Sequence, residues 1–475
     1  MPAQHTHLSL GRATDVNRRE LLDMASKCLD GRKLVWFGTR GDDVESISEL
    51  REFAASFSII GAYGRRHSVD ALAVEQLSGR RVDLDAYEID EEPNHEAFAD
   101  FRHAALRALA VPSAVITYRP SVFVSAICFA RRDRCRYLGM FKDHQSAFEH
   151  KPWVESSIRD LQVPAIPWTY VADEDQLESL RFLDEGPVML RRSRTSGGTG
   201  LVKVDDAAQF AASWPKQAEA YVSVAPYIDG GLPVNVGAVV WRNGVTLHPA
   251  SIQLIGIPSL TTRPFGYCGN DFGAVHSLDP QTLRSIEQHT ITIAEWLRGN
   301  GFVGAFGVDF LVKDGVPLFT EVNPRFQGST HLSCEISVEL EESCILLDHL
   351  AATLGLPAPD SLHLDDYRRA RPSAHLVLHS LADGERALDG SAAVAALRSV
   401  GGFRRADVVT EPTLLTDPGA TIARVTVDGG VTSTGFDISP KWVTATEEAA
   451  NATLGYSLPA AERQFNDPSS KRAGA

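Results

Sequence analysis

The chain has 475 residues, 44% of them hydrophobic and 23% charged, and a formal net charge of −15. That length holds about three or four domains of ordinary globular composition. The acidic balance argues against nucleic acid as a general partner, because no basic excess is available to neutralise phosphates.

The first residues carry no apolar segment of signal-peptide type, and no apolar run approaches a membrane span, so a cytoplasmic protein is expected. The six cysteines lack CxxC pairing and read as reduced thiols rather than a disulfide framework or a zinc site. Residues 1–145 alternate between strand and helix patterns. Strands are expected at 33–38, 58–64 and 113–118, and helices at 43–57, 68–79 (ending on Gly79) and 94–110. Such alternation implies a small parallel α/β sheet. The turn at 38–43 contains glycine but lacks GxGxxG spacing, and reads as a plain turn.

From residue 146 the pattern changes. A helix begins near Lys151 and leads into a Pro-punctuated strand ending near 171. Residues 187–204 read as strand, glycine-rich turn and strand. The turn holds Gly197, Gly198 and Gly200, and Arg191, Arg192 and Arg194 stand beside it. Backbone amides in such a turn can approach phosphate oxygens without Cβ obstruction. Read alone, it is equally a flexible hairpin with arginines on a solvated edge strand. Lys151 read alone is a surface lysine. Residues 225–231, with Tyr227 and Ile228, link two β-rich stretches; they suit either an adenine-facing linker or a plain strand. A hairpin is expected at Arg242-Asn243-Gly244. Residues 265–274 read as a polar loop, either a lid or an ordinary connection, with Cys268 a spectator thiol. Helices are expected at 282–300 and 337–355. From about 370 the chain becomes strand-rich, with segments at 373–381, 420–430 and 431–439, and the tail 465–475 reads as disordered.

The most informative stretch is 309–325. An apolar strand carries Asp309, a Lys-Asp-Gly turn reverses the chain, and a second strand delivers Glu321, Asn323 and Arg325. Carboxylates on buried strands are costly unless something positive meets them. Two carboxylates and an amide carbonyl make a hard-cation site, and a nearby arginine suits a phosphate or acyl phosphate. Sharing a cation requires Asp309 and Glu321 on one sheet face. A strict two-residue turn would place them on opposite faces, so a longer loop centred on Gly315 or a β-bulge is expected.

Lysine, basic strand with glycine turn, linker, acid strand and Glu-Val-Asn-Pro-Arg occur here in an order that resembles the ATP-grasp superfamily over roughly residues 30–350. The resemblance implies an α/β and α+β fold. It comprises a 1–145 N-terminal parallel α/β domain, a small lobe at 146–225, a large lobe at 226–360, and a strand-rich C-terminal region with its tail at 361–475. It implies ATP held by Lys151, Arg191, Gly197, Gly198, Gly200, Tyr227, Ile228 and Gln253. It further implies Mg2+, with Mn2+ as an alternative, on Asp309, Glu321 and Asn323, and Arg325 as the catalytic cation. Two departures stand out: Arg191 replaces a lysine, and Ala225 stands where a glutamate is common. The absence of a biotinylation signal and carrier domain disfavours a biotin-dependent carboxylase. The chain looks most similar to bacterial ATP-grasp peptide ligases of specialised metabolism, which implies joining of a small-molecule carboxylate to an amine (amino acid or peptide) with release of ADP and phosphate. Acylation of a carrier-protein thiol and a non-catalytic ATP-binding role are the alternatives. No nucleic-acid or membrane partner is implied, and a homodimer is admissible.

Overall fold

Lys33–Arg40, Phe53–Ile60 and Ser113–Thr117 are near-continuous apolar runs, the pattern of strands buried on both faces. In the computed structural model they form the centre of a five-stranded parallel sheet, flanked by Asp70–Ala73 and Cys135–Tyr137. The described residues are 16–63, 69–84, 96–172, 175–176, 178–193, 197–215 and 220–454. The N-terminal stretch before Val16, the tail 465–475 and Arg194 therefore lie outside them.

Two helices expected in this layer are replaced by other elements. Val44, Ile47, Leu50 and Phe53 are all buried, but their spacing of three serves a 3₁₀ segment, Gly41–Ile47, and a turn. The chain is already extended from Phe53. Residues 70–73 likewise pair as a strand, and the helix is only Val74–Ser78, capped by left-handed Gly79 as expected. The helix Glu96–Ala108 forms as expected.

A four-stranded antiparallel sheet follows, ordered Thr169–Val171, Val222–Pro226, Val188–Arg192 and Leu201–Val204. The largest element is an eight-stranded sheet. Its order is Val316–Asn323, Gly304–Lys313, Leu232–Val240, Val245–Ile255, Tyr267–Asp271, Ser373–His379, Thr421–Asp428 and Phe403–Asp407. The stretch 265–274, expected as a loop, thus supplies a central strand. The C-terminal strands continue the same sheet, whereas 431–439 is a loop and not a strand. The expected helix at 337–355 is broken: Thr330–Glu339 ends before Glu341, whose φ is 61°, and Ile345–Leu354 begins after an extended Cys344. The second of these helices packs under the parallel sheet, where Leu346 and Leu350 share a core with Trp36, Ile116 and Phe326. No described helix is long and apolar enough to cross a membrane, and all six cysteines are unbridged.

The acid hairpin resolves its register through a bulge. Lys313 pairs with Val316 across a two-residue turn in which Asp314 and Gly315 have φ of 50° and 79°, the left-handed pair of a type I′ turn. The pairing continues to Phe310–Phe319 and then shifts, so that Asp309 faces Glu321 and Thr320 is the extra residue. Thr320 Oγ1 donates to the Asp309 carbonyl at 2.8 Å. The turn is short and the bulge restores the common face.

A β-branched residue in the left-handed turn position costs about 1–2 kcal/mol. Gly315→Val should lower the denaturant midpoint accordingly, and an unchanged midpoint would contradict the turn geometry.

Candidate functional site

The strand period of two puts a row of polar side chains on one face of the eight-stranded sheet. Asp309 pairs with Glu321 on one side and with Asn235 on the other. Asn235 pairs with Ser251, Gln253 with Asn270, and Asn270 with His375. The flanking apolar residues pack on the opposite side against the helix Pro280–Gly299, in the core that contains Phe306, Val308, Phe310, Ile286 and Ile293.

Asp309 is buried and saturated with donors. Its Oδ1 accepts from Asn235 Nδ2 at 2.6 Å and Gln253 Nε2 at 3.0 Å, and its Oδ2 from Asn323 Nδ2 at 3.1 Å. Glu321 receives Asn323 Nδ2 at 3.2 Å and Lys151 Nζ at 3.3 Å. Burial, followed by the Glu321 charge, pushes Asp309 up to about 7. Burial also acts upward on Glu321, but Lys151, the Asn323 amide and Arg325 outweigh it and hold that carboxyl at about 2. The pair therefore retains a proton where isolated carboxylates would not. Two carboxylates and one side-chain amide converging in this way fit a hard divalent cation, which would take the place of that proton. Arg325 donates to Asn323 Oδ1 at 3.0 Å and to the Phe326 carbonyl at 3.0 Å, which fixes its guanidinium beside the acid pair.

A cavity of about 560 Å3 opens above this floor. Of the residues singled out from sequence, Arg191, Gly197, Gly198, Tyr227, Ile228, Gln253, Asp309, Glu321, Asn323 and Arg325 line it. Lys151 and Gly200 are not on its wall. Lys151 reaches the site through its ion pair with Glu321, and Gly200 shapes the turn, accepting from Arg192 N at 3.2 Å. Gly197, Gly198 and Gly200 all have left-handed φ, and a Cβ at Gly198 would lie 1.8 Å from the Phe265 carbonyl oxygen. Only glycine lets this turn approach the cavity rim so closely. Arg191 is committed more deeply than a phosphate-binding cation at a surface would be. It is 5% exposed, donates to Glu155 at 2.7 Å and stacks 3.9 Å from the Trp168 ring centroid. Ala225 and Tyr227 follow on the adjoining strand and linker, and Tyr227 N donates to the Pro187 carbonyl at 2.8 Å.

Several lining residues were not singled out from sequence. Asn235 also donates to Gln327 Oε1 at 2.9 Å and accepts from Ser329 Oγ at 2.8 Å. Gln327 fills the space where a Cβ at Gly307 would sit, so that glycine is required by the network. An asparagine within the otherwise apolar strand Leu232–Val240 was the available signal. Thr39, Arg40, Tyr118 and Arg119 come from the N-terminal layer, and Thr434 and Phe436 from the C-terminal loop.

Residues 151–329 match the protein-family model described as an ATP-grasp domain. This segment is an ATP-grasp domain. Named bacterial relatives include formate-dependent phosphoribosylglycinamide formyltransferases. That of Hydrogenovibrio crunogenus is 24% identical over 212 residues, 42% of this chain and 49% of the relative. That of Sodalis glossinidius is 28% identical over 199 residues, 42% and 48% respectively. The chain spans about half the length of the curated relatives it matches. Among solved structures, an ATP complex of carboxyaminoimidazole ribonucleotide synthase from Aspergillus clavatus superposes with a TM-score of 0.57 at 14% identity, covering 89% of this chain and 98% of that one. Biotin carboxylase from Campylobacter jejuni gives 0.56 at 14% identity, covering 84% and 87%. These likenesses establish a fold that extends beyond the ATP-grasp domain itself.

The acid pair makes a signed prediction for the metal-free protein. Asp309 stays protonated in the fold up to about 7, against an ordinary value of 3.8. The native state then binds more protons than the unfolded chain between those values, so this group lowers stability as pH rises through that window. In EDTA, the denaturant midpoint of the wild type relative to Asp309→Asn should fall from pH 4 to pH 7 and level off above. A difference that stays flat, or rises, would rule out the shared proton.

Proposed function

We propose that the protein is an ATP-dependent ligase that activates a carboxylate as an acyl phosphate and joins it to an amine, releasing ADP and phosphate. The observation that carries this reading is the meeting of the acid pair, Asn323 and Arg325 with the glycine turn and the Tyr227–Ile228 linker around one cavity. The names of the bacterial relatives make formate, a carboxylate, the source of a formyl group placed on phosphoribosylglycinamide. That is a bond of the same class.

In this reading, the wall of Met189, Leu201, Tyr227 and Ile228 takes the adenine, and the amides of Gly197 and Gly198 face the phosphates. Asp309, Glu321 and Asn323 would hold Mg2+ (or Mn2+), whose chemistry there would be to neutralise charge on the phosphoryl group being transferred. A carboxylate oxygen of the substrate attacks the γ-phosphorus and ADP leaves. The amine then attacks the acyl carbon, and phosphate leaves with the C–O bond electrons. Arg325 has five N–H donors, and those not used on Asn323 and Phe326 can meet the acyl phosphate and the oxyanion that develops from it. Lys151 keeps Glu321 ionised and oriented. Arg191, locked between Glu155 and Trp168, holds the wall and adds positive potential near the phosphates. The second substrate in this reading is an amino acid or short peptide, the substrate class of the peptide ligases that the sequence resembles.

Phosphate release should be screened over carboxylates paired with amines, including amino acids and peptides. The expected result is ADP and phosphate formed only when both partners are present. AMP and pyrophosphate would overturn the reading. Glu321→Ala should lower turnover about 100-fold or more, the scale lost when stabilisation of a developing charge is removed; unchanged turnover would remove the acid pair from the chemistry.

A further inference from the structure

The cavity wall contains a cation that the proposed chemistry does not use. Arg40 ends the strand Lys33–Arg40 and is 8% exposed, and it lines the cavity. Its Nε is buried with no hydrogen-bond partner, and among the described residues no side chain forms an ion pair with it. The acids that follow it give one oxygen each to Arg424, Asp42 at 2.6 Å and Asp43 at 3.0 Å; Asp43 Oδ2 accepts no hydrogen bond, and Arg40 acts on Asp43 through charge without bonding to it. Thr39, beside Arg40 and also on the cavity wall, has a buried Oγ1 without a partner. A guanidinium removed from water without a bonded anion is costly, and a ligand anion would relieve that cost.

The backbone supports the same conclusion. Thr39–Arg40 end one strand and Tyr118–Arg119 follow the adjacent parallel strand, at the carboxyl edge where ligands bind in open α/β sheets. The nucleotide wall is built by other elements, around Met189, Leu201 and Tyr227. Nearby Tyr267 and Asn270 are bonded to each other and to His375 and Ser251, so they are fixed rather than mobile neighbours.

We propose that Arg40, with Thr39, anchors an anionic group, a carboxylate or a phosphate, on the non-nucleotide substrate. This rests on the ligase reading for which substrate is meant, but the anion site itself does not require it. The chemistry is a bidentate or forked N–H contact to two oxygens, for which arginine is suited and lysine less so. A substrate with a second charged group, remote from the bond being made, is thereby selected over a neutral analogue.

Thermal shifts test this in the full-length protein with Mg2+ and a non-hydrolysable ATP analogue at saturation, which fills the triphosphate subsite. Inorganic phosphate and succinate are titrated separately at constant ionic strength, with chloride as the control. At least one should raise the melting temperature of the wild type. Arg40→Gln should weaken that anion by about 10- to 100-fold, the range of a hydrogen bond to a charged group, and Arg40→Lys should recover part of it. A response to phosphate alone identifies a phosphate-bearing substrate, and one to succinate alone a carboxylate-bearing substrate; both support the anchor. The proposal is overturned if neither anion acts on the wild type, or if Arg40→Gln responds like the wild type. If Arg40→Gln fails to fold, Arg40→Lys decides: an undiminished anion response overturns the forked contact. Failure of the ATP analogue to shift the wild type, with the anion response intact, would sink the nucleotide reading and leave the anchor standing.

Discussion

Side chains alternate faces along a strand, so the acid hairpin can place Asp309 and Glu321 together only if its register is broken once. Thr320 is that break. The type I′ turn at Asp314–Gly315 sets one register and the bulge converts it to the other, with Thr320 Oγ1 tied to the Asp309 carbonyl. Everything polar around the site follows from that shift. Two carboxylates brought face to face require donors, and the structure surrounds them with Asn235, Gln253, Asn323 and Lys151. Those amides are in turn fixed by Gln327, Ser329 and Arg325. A half-satisfied network in a buried sheet face would be destabilising, so its completeness argues for a built site rather than stray polarity.

The cavity has walls from three parts of the chain, and buried arginines hold those parts in register. Arg424, 1% exposed, runs from a C-terminal strand to Asp42 and Asp43 beside the parallel sheet. Arg81 is held by Glu75 and donates to the Val408 and Thr421 carbonyls at 2.8 and 3.1 Å. Removing one partner of such a pair leaves an uncompensated buried charge, which is far costlier than losing a surface bridge. The C-terminal segment is therefore structural to the site: it extends the sheet that carries the acid pair, and its loop brings Thr434 and Phe436 to the rim. Gly435 sits 2.6 Å, at its would-be Cβ, from the Gln253 carbonyl oxygen, so the loop packs directly on the floor.

What was legible in the sequence was whatever depended on local pattern. The need for a common face at Asp309 and Glu321 followed from period-two alternation alone, and so did the expectation of a loop or a bulge. The choice between them was not legible, because Asp-Gly suits a two-residue turn and nothing local marks Thr320 as the extra residue. Val44, Ile47, Leu50 and Phe53 misled for a related reason: spacing of three looks helical, yet here it serves a 3₁₀ turn that empties into a parallel strand. The 265–274 stretch looked like a loop because its glycines and polar residues lack strand propensity. Its strand is imposed by neighbours on both sides, and Gly269, with φ 129°, leaves room for the His375 carbonyl. Asn235, Arg40 and Thr39 escaped notice because the partners of a polar residue within a strand come from neighbouring elements that the linear sequence does not place beside it.

Bulk charge illustrates the same separation of scales. A net charge of −15 describes the surface that faces solvent. Inside, burial and the Asp43 charge keep the Tyr118 hydroxyl protonated, while Arg40, Arg325 and Arg119 act on it in the opposite sense. The acid pair shares its cavity with several arginines: Arg325 lies beside the pair, and Arg40 and Arg119 enter from the parallel-sheet layer. Fixed charges of both signs around one cavity orient a bound molecule better than a uniformly basic pocket would. A net negative surface repels long anionic polymers, whereas a buried guanidinium meets small anions by geometry rather than by bulk charge.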